Sequence, residues 1–214
     1  MNLVFPSLYA ILDSSLLTTS ELALAETLAG SGVELIQYRS KNAPSRDYYE
    51  MSRNLSTALK KSGVRFIVND RPDIALLTDA GGVHVGQEDL GVEEAREICG
   101  KERWVGVSTH TLEQVAAADR TSADYIAFGP IFPTTTKQNP DAVVGTELLR
   151  RVRQMTRKPI VAIGGITLER AAEVYGAGAD SLAVARDLIC AANPGERARK
   201  YLEVAASKAS RRAG

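Results

Sequence analysis

The chain has 214 residues, 44% of them hydrophobic, and its 26 basic side chains equal its 26 acidic side chains in number. This composition is ordinary for a globular domain, and zero net charge gives no support to nucleic acid or an anionic membrane as the main partner. Residues 1–10 have no basic start, and no stretch approaches the roughly 18 apolar residues of a membrane span. We therefore expect a cytoplasmic protein in which any anion site is local.

Short β-branched runs recur along the chain, and each is followed by a turn and a helix-like stretch. Several runs are apolar almost throughout, as in strands that are buried on both faces. The eight predicted strands are Ser7–Leu12, Val33–Arg39, Arg65–Asn69, Gly82–Val85, Trp104–Ser108, Tyr125–Gly129, Pro159–Ile163 and Ser181–Val184.

Amphipathic segments with recognisable helix ends lie between these strands. Four of them follow a residue suited to an N-cap, namely Ser20, Ser45, Thr111 and Thr167. The second segment ends on two lysines and Gly63, as helix C-termini commonly do. The helices after Asp70 and Asp89 are predicted to be short. The small, basic tail from Ser207 indicates a frayed end.

The order of these elements predicts the fold. Eight strand–helix alternations at roughly 27-residue spacing indicate a parallel sheet, and eight strands close a β/α barrel. The alternative is an open doubly wound sheet, but no G-x-G-x-x-G follows the first strand. No linker or composition break divides the chain. We predict a single-domain (β/α)8 TIM barrel over residues 1–214.

Basic side chains end the second strand, where the strands of such a barrel converge on one mouth. Arg39 and Lys41 alternate outward from a buried run. An arginine fork suits phosphate oxygens, so the pair predicts an anion site. The alternative is an ion pair with a carboxylate on a neighbouring loop.

Acidic side chains end the next two strands. Asp70 and Asp89 have no histidine or cysteine ligand set beside them. Two hard carboxylates suit Mg²⁺, which completes its shell with water and phosphate oxygens. The alternative is that each aspartate caps the helix that follows.

Two later strand ends carry groups suited to phosphate. The loop PTTTK places three hydroxyls and an ammonium between Pro133 and Lys137, although a surface loop can also be rich in threonine. Gly164 and Gly165 precede a helix, and backbone N–H groups at a helix start hold phosphate. A plain tight turn is the alternative for the glycines.

The histidines and cysteines carry weaker indications. His84 lies inside a strand and is interpreted as a core residue, whereas His110 at a strand end is a candidate acid or base without an evident partner. Cys99 and Cys190 are interpreted as reduced core or helix residues.

Taken together, these motifs resemble the thiamine-phosphate synthase family. The match runs from about Leu8 to Ile189, and its segments are specific as an ordered set. They are IQYRSK (Ile36–Lys41), VND (Val68–Asp70), GVHVGQED (Gly82–Asp89), GVSTH (Gly106–His110), GPIFPTTTK (Gly129–Lys137) and AIGGI (Ala162–Ile166).

The resemblance implies a role for each matching residue. An aminopyrimidine methyl diphosphate would be held by Gln37, Arg39, Lys41, Asn69, Ser108 and Lys137, with Tyr38 and Ser40 in the same binding segment. Asp70 and Asp89 would bind the Mg²⁺ cofactor. A thiazole phosphate carboxylate would contact Thr134, Thr135, Thr136, Gly165, Ala185 and Arg186. Arg186 is a departure, because the family often has a serine there.

The chemistry implied by the resemblance is an alkyl transfer. Diphosphate leaves the pyrimidine methylene, the thiazole nitrogen attacks that carbon, and the adduct loses CO₂. Such an ionisation needs charge stabilisation on the leaving group. Mg²⁺ and four side chains, Arg39, Lys41, Lys137 and Ser108, would provide it. The resemblance requires no side-chain nucleophile and allows a homo-oligomer.

Two other functions stay open at this point. The related thiazole tautomerases use a histidine that matches His110, but they lack the acidic pair and the intact Thr-Thr-Thr-Lys loop. A barrel that binds ligand without turnover is the non-enzymatic alternative. Retention of Asp70, Asp89 and Lys137 together favours the synthase.

Overall fold

A closed barrel of eight parallel strands forms the centre of the protein, in a computed structural model that describes residues 5–134 and 141–212. The strands pair in chain order, and the last is hydrogen-bonded to the first. They are β1 (Leu8–Asp13), β2 (Leu35–Arg39), β3 (Arg65–Asn69), β4 (Gly82–Val85), β5 (Trp104–Thr109), β6 (Tyr125–Phe128), β7 (Ile160–Ile163) and β8 (Ser181–Val184). The predicted barrel is confirmed, and the open sheet is excluded because β1 and β8 pair.

Helices connect successive strands and cover the outside of the barrel. They are α1 (Glu21–Gly30), α2 (Ser45–Lys61), α3 (Pro72–Leu77), α4 (Val92–Cys99), α5 (Leu112–Asp119), α6 (Gly145–Met155), α7 (Leu168–Gly176), α8 (Arg186–Ile189) and α9 (Pro194–Arg212). The helices after β3 and β4 are short, as predicted. The backbone of α9 stays helical beyond Ser207, where a frayed end was predicted. Within the described ranges, no helix has the length and apolarity needed to cross a membrane.

Two element ends differ from the sequence prediction for local reasons. Val33 belongs to the turn that ends α1, since its N–H donates to the Leu28 carbonyl at 3.1 Å while Gly32 takes a φ of 93°. This pattern is a Schellman motif, so β2 starts two residues later than predicted. Ser45 is the first helical residue of α2, and Pro44 holds the N-cap position.

Strand alternation divides the apolar core into two layers. Side chains inside the barrel pack together, among them Tyr9, Ile67 and Tyr125. A larger layer lies between the strands and the helices. Phe5 stacks on Trp104 with ring centroids 5.1 Å apart and joins the inner layer at the amino end of the strands. The carboxyl ends stay open and carry the polar residues.

Candidate active site

A cavity of about 660 Å³ lies at the carboxyl ends of the strands. Its wall includes eleven of the sixteen site residues predicted from the sequence, so these residues lie together at the strand ends as expected, while their roles stay predictions. These residues are Gln37, Arg39, Lys41, Asn69, Asp70, Asp89, Ser108, Thr134, Gly165, Ala185 and Arg186.

Two predicted binding residues, Tyr38 and Ser40, do not line the cavity. Side chains alternate along a strand, so Gln37 and Arg39 point into the barrel while Tyr38 points toward the helices. The Tyr38 ring stacks on Tyr48 of α2, with centroids 5.2 Å apart. Ser40 accepts a hydrogen bond from the Ser14 hydroxyl at 2.7 Å. The side chains of Tyr38 and Ser40 therefore do not join the other predicted residues at the cavity, and the predicted binding roles of these two residues stay untested.

Three other predicted residues, Thr135, Thr136 and Lys137, lie outside the described residues. Their expected contacts with the two substrates stay predictions. Thr134, the first threonine of the same loop, lines the cavity.

The predicted basic pair is held by carboxylates. Arg39 forms an ion pair with Asp13 at the end of β1, and Lys41 forms one with Asp70. Asp13 is only 2% exposed and also accepts from the Ser15 N–H at 3.0 Å. The ion-pair alternative weighed for both cations is thus what the structure shows. The sequence prediction missed Asp13 because it ended the first strand at Leu12.

The acidic pair does not cap helices. The N-cap of α3 is Arg71 and that of α4 is Gly91, so the capping alternative is wrong for Asp70 and Asp89 alike. Asp70 has a φ of 63°, and its N–H donates to the carbonyl of His84 at 2.8 Å. An aspartate tolerates the left-handed conformation better than most residues.

The two aspartates are electrostatic neighbours in the cavity. Burial raises the pKa of Asp89, and nearby Asp70 raises it further. Asp89 accepts from the Gly86 N–H at 2.7 Å. Among the described residues, no group of three or more His, Cys, Asp and Glu side chains is arranged to bind a metal. Two carboxylates in a polar cavity fit Mg²⁺, which commonly uses one or two.

A hydrogen-bonded row of side chains lies at the bottom of the cavity. The Gln37 amide donates to Tyr9 at 2.7 Å, and the Tyr9 and Tyr125 hydroxyls are 2.9 Å apart. Nδ1 of His84 is 3.1 Å from the Tyr125 hydroxyl, and its Nε2 is 2.9 Å from the Ser108 hydroxyl. His84 was predicted to be buried, but its link to Ser108 was not, since these partners lie on different strands.

The ends of β7 and β8 form the other side of the cavity. Gly164 and Gly165 have φ values of 98° and 62°, and a Cβ on Gly165 would lie 2.4 Å from the Pro133 carbonyl oxygen. Only glycine fits such a close backbone approach with positive φ. Arg186 lines this side together with Arg170, whose guanidinium lies 4.4 Å from the centroid of the Phe132 ring. The sequence prediction missed Arg170.

His110 also lines the cavity and has partners that the sequence did not reveal. Its Nδ1 is 2.6 Å from the Gly129 carbonyl oxygen, and its Nε2 is 3.5 Å from a carboxylate oxygen of Asp141. Because a carbonyl only accepts, Nδ1 carries a proton. Cys99 and Cys190 are free thiols; Cys99 is buried as predicted, and Cys190 is exposed.

Comparison with known proteins gives a consistent result. A family model described as thiamine monophosphate synthase matches residues 8–188. The thiamine-phosphate synthase of Koribacter versatilis is 46% identical over 210 residues, which cover 95% of this chain and 97% of that protein. That of Chloroflexus aurantiacus is 44% identical over 185 residues, covering 86% and 85%. The solved structure of thiamine phosphate pyrophosphorylase from Pyrococcus furiosus has a TM-score of 0.86 at 34% identity, over 94% of this chain and 96% of that one.

Proposed function

The chain belongs to the thiamine monophosphate synthase family, and we propose that its cavity binds a pyrimidine methyl diphosphate and a thiazole phosphate side by side. The activity is that of a thiamine-phosphate synthase, a transferase of thiamine biosynthesis. The diphosphate binds at the ends of β2 to β5, and the thiazole phosphate binds at the ends of β6 to β8. In a closed barrel β3 and β7 lie opposite each other, which supports this division.

The main support for the proposal is the charge of five side chains at the strand ends, which together form the strand-end cluster. Three carboxylates, from Asp13, Asp70 and Asp89, face the two cations Arg39 and Lys41 within one cavity. When all five are ionised, these described residues carry a net charge of about −1, which by itself repels a diphosphate. A divalent cation held by Asp70 and Asp89 would reverse that sign. The cluster is therefore suited to a diphosphate that arrives with a metal ion.

Mg²⁺ is the cation that the donor set fits best, because both ligands are carboxylates and the remaining positions suit water and phosphate oxygens. When bound, it would neutralise charge that builds on the departing diphosphate. Asp70 would then share its carboxylate between the metal and Lys41, and the Lys41 ammonium would be available to the diphosphate oxygens.

The protein's own groups favour cleavage of the bond between the pyrimidine methylene and the diphosphate oxygen. The electron pair of that bond leaves with the diphosphate, and the thiazole nitrogen supplies the pair for the new C–N bond. Arg39, Lys41 and the Ser108 hydroxyl donate to the leaving oxygens, and Asn69 lines the same wall. One well-placed donor typically lowers such a barrier by about 3 kcal/mol.

The thiazole phosphate is held by backbone and guanidinium groups. The start of α7 follows Gly164 and Gly165, so N–H groups there donate to phosphate oxygens. Arg186 and Arg170 add positive charge on the same side. The family's usual serine contact is replaced by the Arg186 side chain.

The decisive experiment combines purified protein, the two phosphorylated precursors and Mg²⁺, with thiamine phosphate detected by mass spectrometry. We expect product with Mg²⁺ and none in excess chelator. Asp70→Asn and Asp89→Asn should each lower turnover by at least about tenfold, the scale of one lost charged contact. Full activity in chelator would contradict the metal proposal, and no product at all would contradict the function.

Asp79→Asn is the matched control for Asp70→Asn. Asp79 also has positive φ, at 50°, and its carboxylate also pairs with a lysine, Lys60. It does not line the cavity. Asp79→Asn should therefore keep wild-type turnover and metal dependence, which separates a metal role from a backbone effect.

The tautomerase alternative depends on His110, whose Nε2 faces Asp141. It predicts an isomerase that works in chelator and loses activity in His110→Asn. The acidic pair disfavours it, and the chelator arm of the same assay distinguishes the two functions. The cytoplasmic location and a homo-oligomeric state stay predictions.

A further inference from the structure

A continuous row of hydrogen bonds runs through the barrel and ends at Ser108. In order, it links Gln37, Tyr9, Tyr125, His84 and Ser108, with donor–acceptor distances between 2.7 and 3.1 Å. The first four side chains are buried, and Ser108 faces the cavity.

The barrel makes room for this row at one position. Gly106 on β5 lies against the Tyr125 phenol, and a Cβ there would be 2.0 Å from Cζ of the ring. No side chain fits at that distance. The imidazole of His84 stacks on the same ring, with centroids 5.5 Å apart and planes 22° apart. The packing therefore fixes the phenol that contacts His84.

The direction of the bonds follows from the donors available. Gln37 donates its amide N–H to Tyr9, so the Tyr9 oxygen already receives one hydrogen bond. Tyr9 is 1% exposed, and Tyr125 is the only other polar group bonded to its hydroxyl in the part of the chain that the structure describes. A buried hydroxyl proton needs an acceptor, so Tyr9 donates to Tyr125. Tyr125 must then donate to Nδ1 of His84.

The protonation of His84 follows from this direction. Nδ1 accepts from Tyr125, so a neutral imidazole carries its proton on Nε2. Burial lowers the pKa of His84 to about 4, in keeping with a neutral ring. Nε2 then donates to the Ser108 oxygen.

We propose that His84 is a positioning residue that fixes Ser108 as a hydrogen-bond donor to the diphosphate. Its Nε2–H occupies an acceptor site of the Ser108 oxygen, which leaves the hydroxyl proton directed into the cavity. The backbone there is also fixed, since Gln87 donates to the Ser108 carbonyl at 2.6 Å. The proposal depends on the proposed function for the identity of the anion, but not for the state of His84.

The orientation matters because phosphate oxygens only accept hydrogen bonds. A serine hydroxyl donates or accepts according to its neighbours. If His84 were protonated on Nδ1, Ser108 would donate to Nε2 and turn a lone pair toward the diphosphate. The same residues would then repel the ligand they are expected to bind.

The ¹⁵N NMR signals of the histidine rings test the tautomer directly. The chain has only two histidines, so a His110→Asn sample assigns the signals of His84. In ¹⁵N-histidine-labelled protein at neutral pH, we expect a protonated Nε2 and an unprotonated Nδ1. A protonated Nδ1 would overturn the proposal, whether or not the enzyme turns over.

Kinetics with both substrates test whether the row acts through Ser108. Ser108→Ala should raise the KM for the pyrimidine diphosphate by at least about tenfold, the low end for a hydrogen bond to a charged group, and Tyr125→Phe should raise it about fivefold, as for a neutral hydrogen bond. The KM for the thiazole phosphate should not change. In the Ser108→Ala background, Tyr125→Phe should have no additional effect on either KM.

Tyr175→Phe is the matched control. Tyr175 is equally buried and donates to the Ser7 carbonyl at 2.8 Å, away from the cavity. The Tyr175→Phe variant should have a lower free energy of unfolding and an unchanged KM for both substrates. An equal rise in KM from Tyr125→Phe with and without Ser108 would overturn the proposal, because the effect would then come from packing. Absence of thiamine phosphate with wild-type protein would instead contradict the proposed function.

Discussion

His84 is held as a neutral ring at the bottom of the cavity, and this links the stability of the fold to pH. Burial lowers its pKa from an ordinary 6.5 to about 4, against the opposing charge of Asp89. Between these values the unfolded chain binds more protons than the native protein. The free energy of unfolding should therefore fall as the pH decreases from about 6.5 to 4, by roughly 3 kcal/mol for this group.

Urea denaturation between pH 4 and 7, in chelator, measures this contribution. His84→Gln removes the titrating group and keeps a polar side chain, so its stability should decrease less across the same pH range. The comparison cancels the contribution of titrating groups that do not interact with His84. Parallel pH profiles for wild type and His84→Gln would show that burial does not keep the ring neutral.

Arg186 allows a second prediction about a single residue. Its side chain lines the cavity beside Ala185 at the start of α8. A guanidinium there suits a phosphate, so Arg186→Ala should raise the KM for the thiazole phosphate about tenfold, as expected for a hydrogen bond to a charged group. The KM for the pyrimidine diphosphate should stay the same.

Arg150→Ala is a suitable control for Arg186→Ala, since Arg150 pairs with Glu147 on the surface of α6. It should change neither KM. An unchanged thiazole KM in Arg186→Ala would mean that backbone groups alone bind the phosphate.

The sequence predicted residues at strand ends better than it predicted their partners. Position alone predicted that four strand-end residues lie together, because every strand of a barrel ends at the same mouth. These residues are Arg39, Lys41, Asp70 and Asp89. The ion pair between Arg39 and Asp13 was missed because the first strand was predicted to end at Leu12, one residue before Asp13. Tyr38 was assigned to the site through a matching motif, although alternation along β2 directs it outward.

Helix caps are features at the scale of elements that can be tested in the same way. Thr111 accepts a hydrogen bond from the Gln114 N–H at 3.2 Å at the start of α5, whereas Ser20 makes no such bond at the start of α1. Thr111→Ala should lower the free energy of unfolding by about 1 kcal/mol. Ser20→Ala is the matched control and should lower the free energy of unfolding by clearly less. Equal losses in thermal or urea denaturation would show that the observed bond does not decide cap strength.

The predicted elements themselves were close to the observed ones, because apolar runs and helix ends are local properties. The starts and ends of β3, β4 and β8 agree with the prediction to the residue. The error at Val33 has a clear cause. A β-branched residue resembles the start of a strand, but here its N–H completes the turn that ends α1. Such hydrogen bonds depend on backbone geometry that composition does not specify.

At the scale of the whole molecule, closure of the barrel brings together groups that are distant in sequence. β1 pairs with β8, so Asp13 and Arg186 line one cavity. The last long helix contributes as well, since Tyr201 of α9 donates to Asp187 at 2.7 Å and Asp187 accepts from the Leu168 N–H at the start of α7. Counting eight strands was sufficient to predict the closure. It could not predict that, among the described residues at the ends of β1 to β4, three aspartates face only two cations.

That excess of negative charge predicts how ligands affect the stability of the whole protein. Inorganic diphosphate alone meets the net negative cluster of Asp13, Arg39, Lys41, Asp70 and Asp89, so it should raise the Tm little. With Mg²⁺ present the two ions bind together. A complex at about 100 times its Kd stabilises the native state by roughly 2.7 kcal/mol. For a chain of this size each kcal/mol corresponds to roughly 2–4 °C, which gives an expected rise of about 5–10 °C.

Calorimetry with Mg²⁺ alone, with diphosphate alone and with both ions measures the coupling between them, which is the rise in Tm that appears only when both are present. Asp70→Asn should abolish it and Asp79→Asn should preserve it. A rise of the full size with diphosphate alone would contradict the charge argument, because the side chains would then accept the anion without a metal ion.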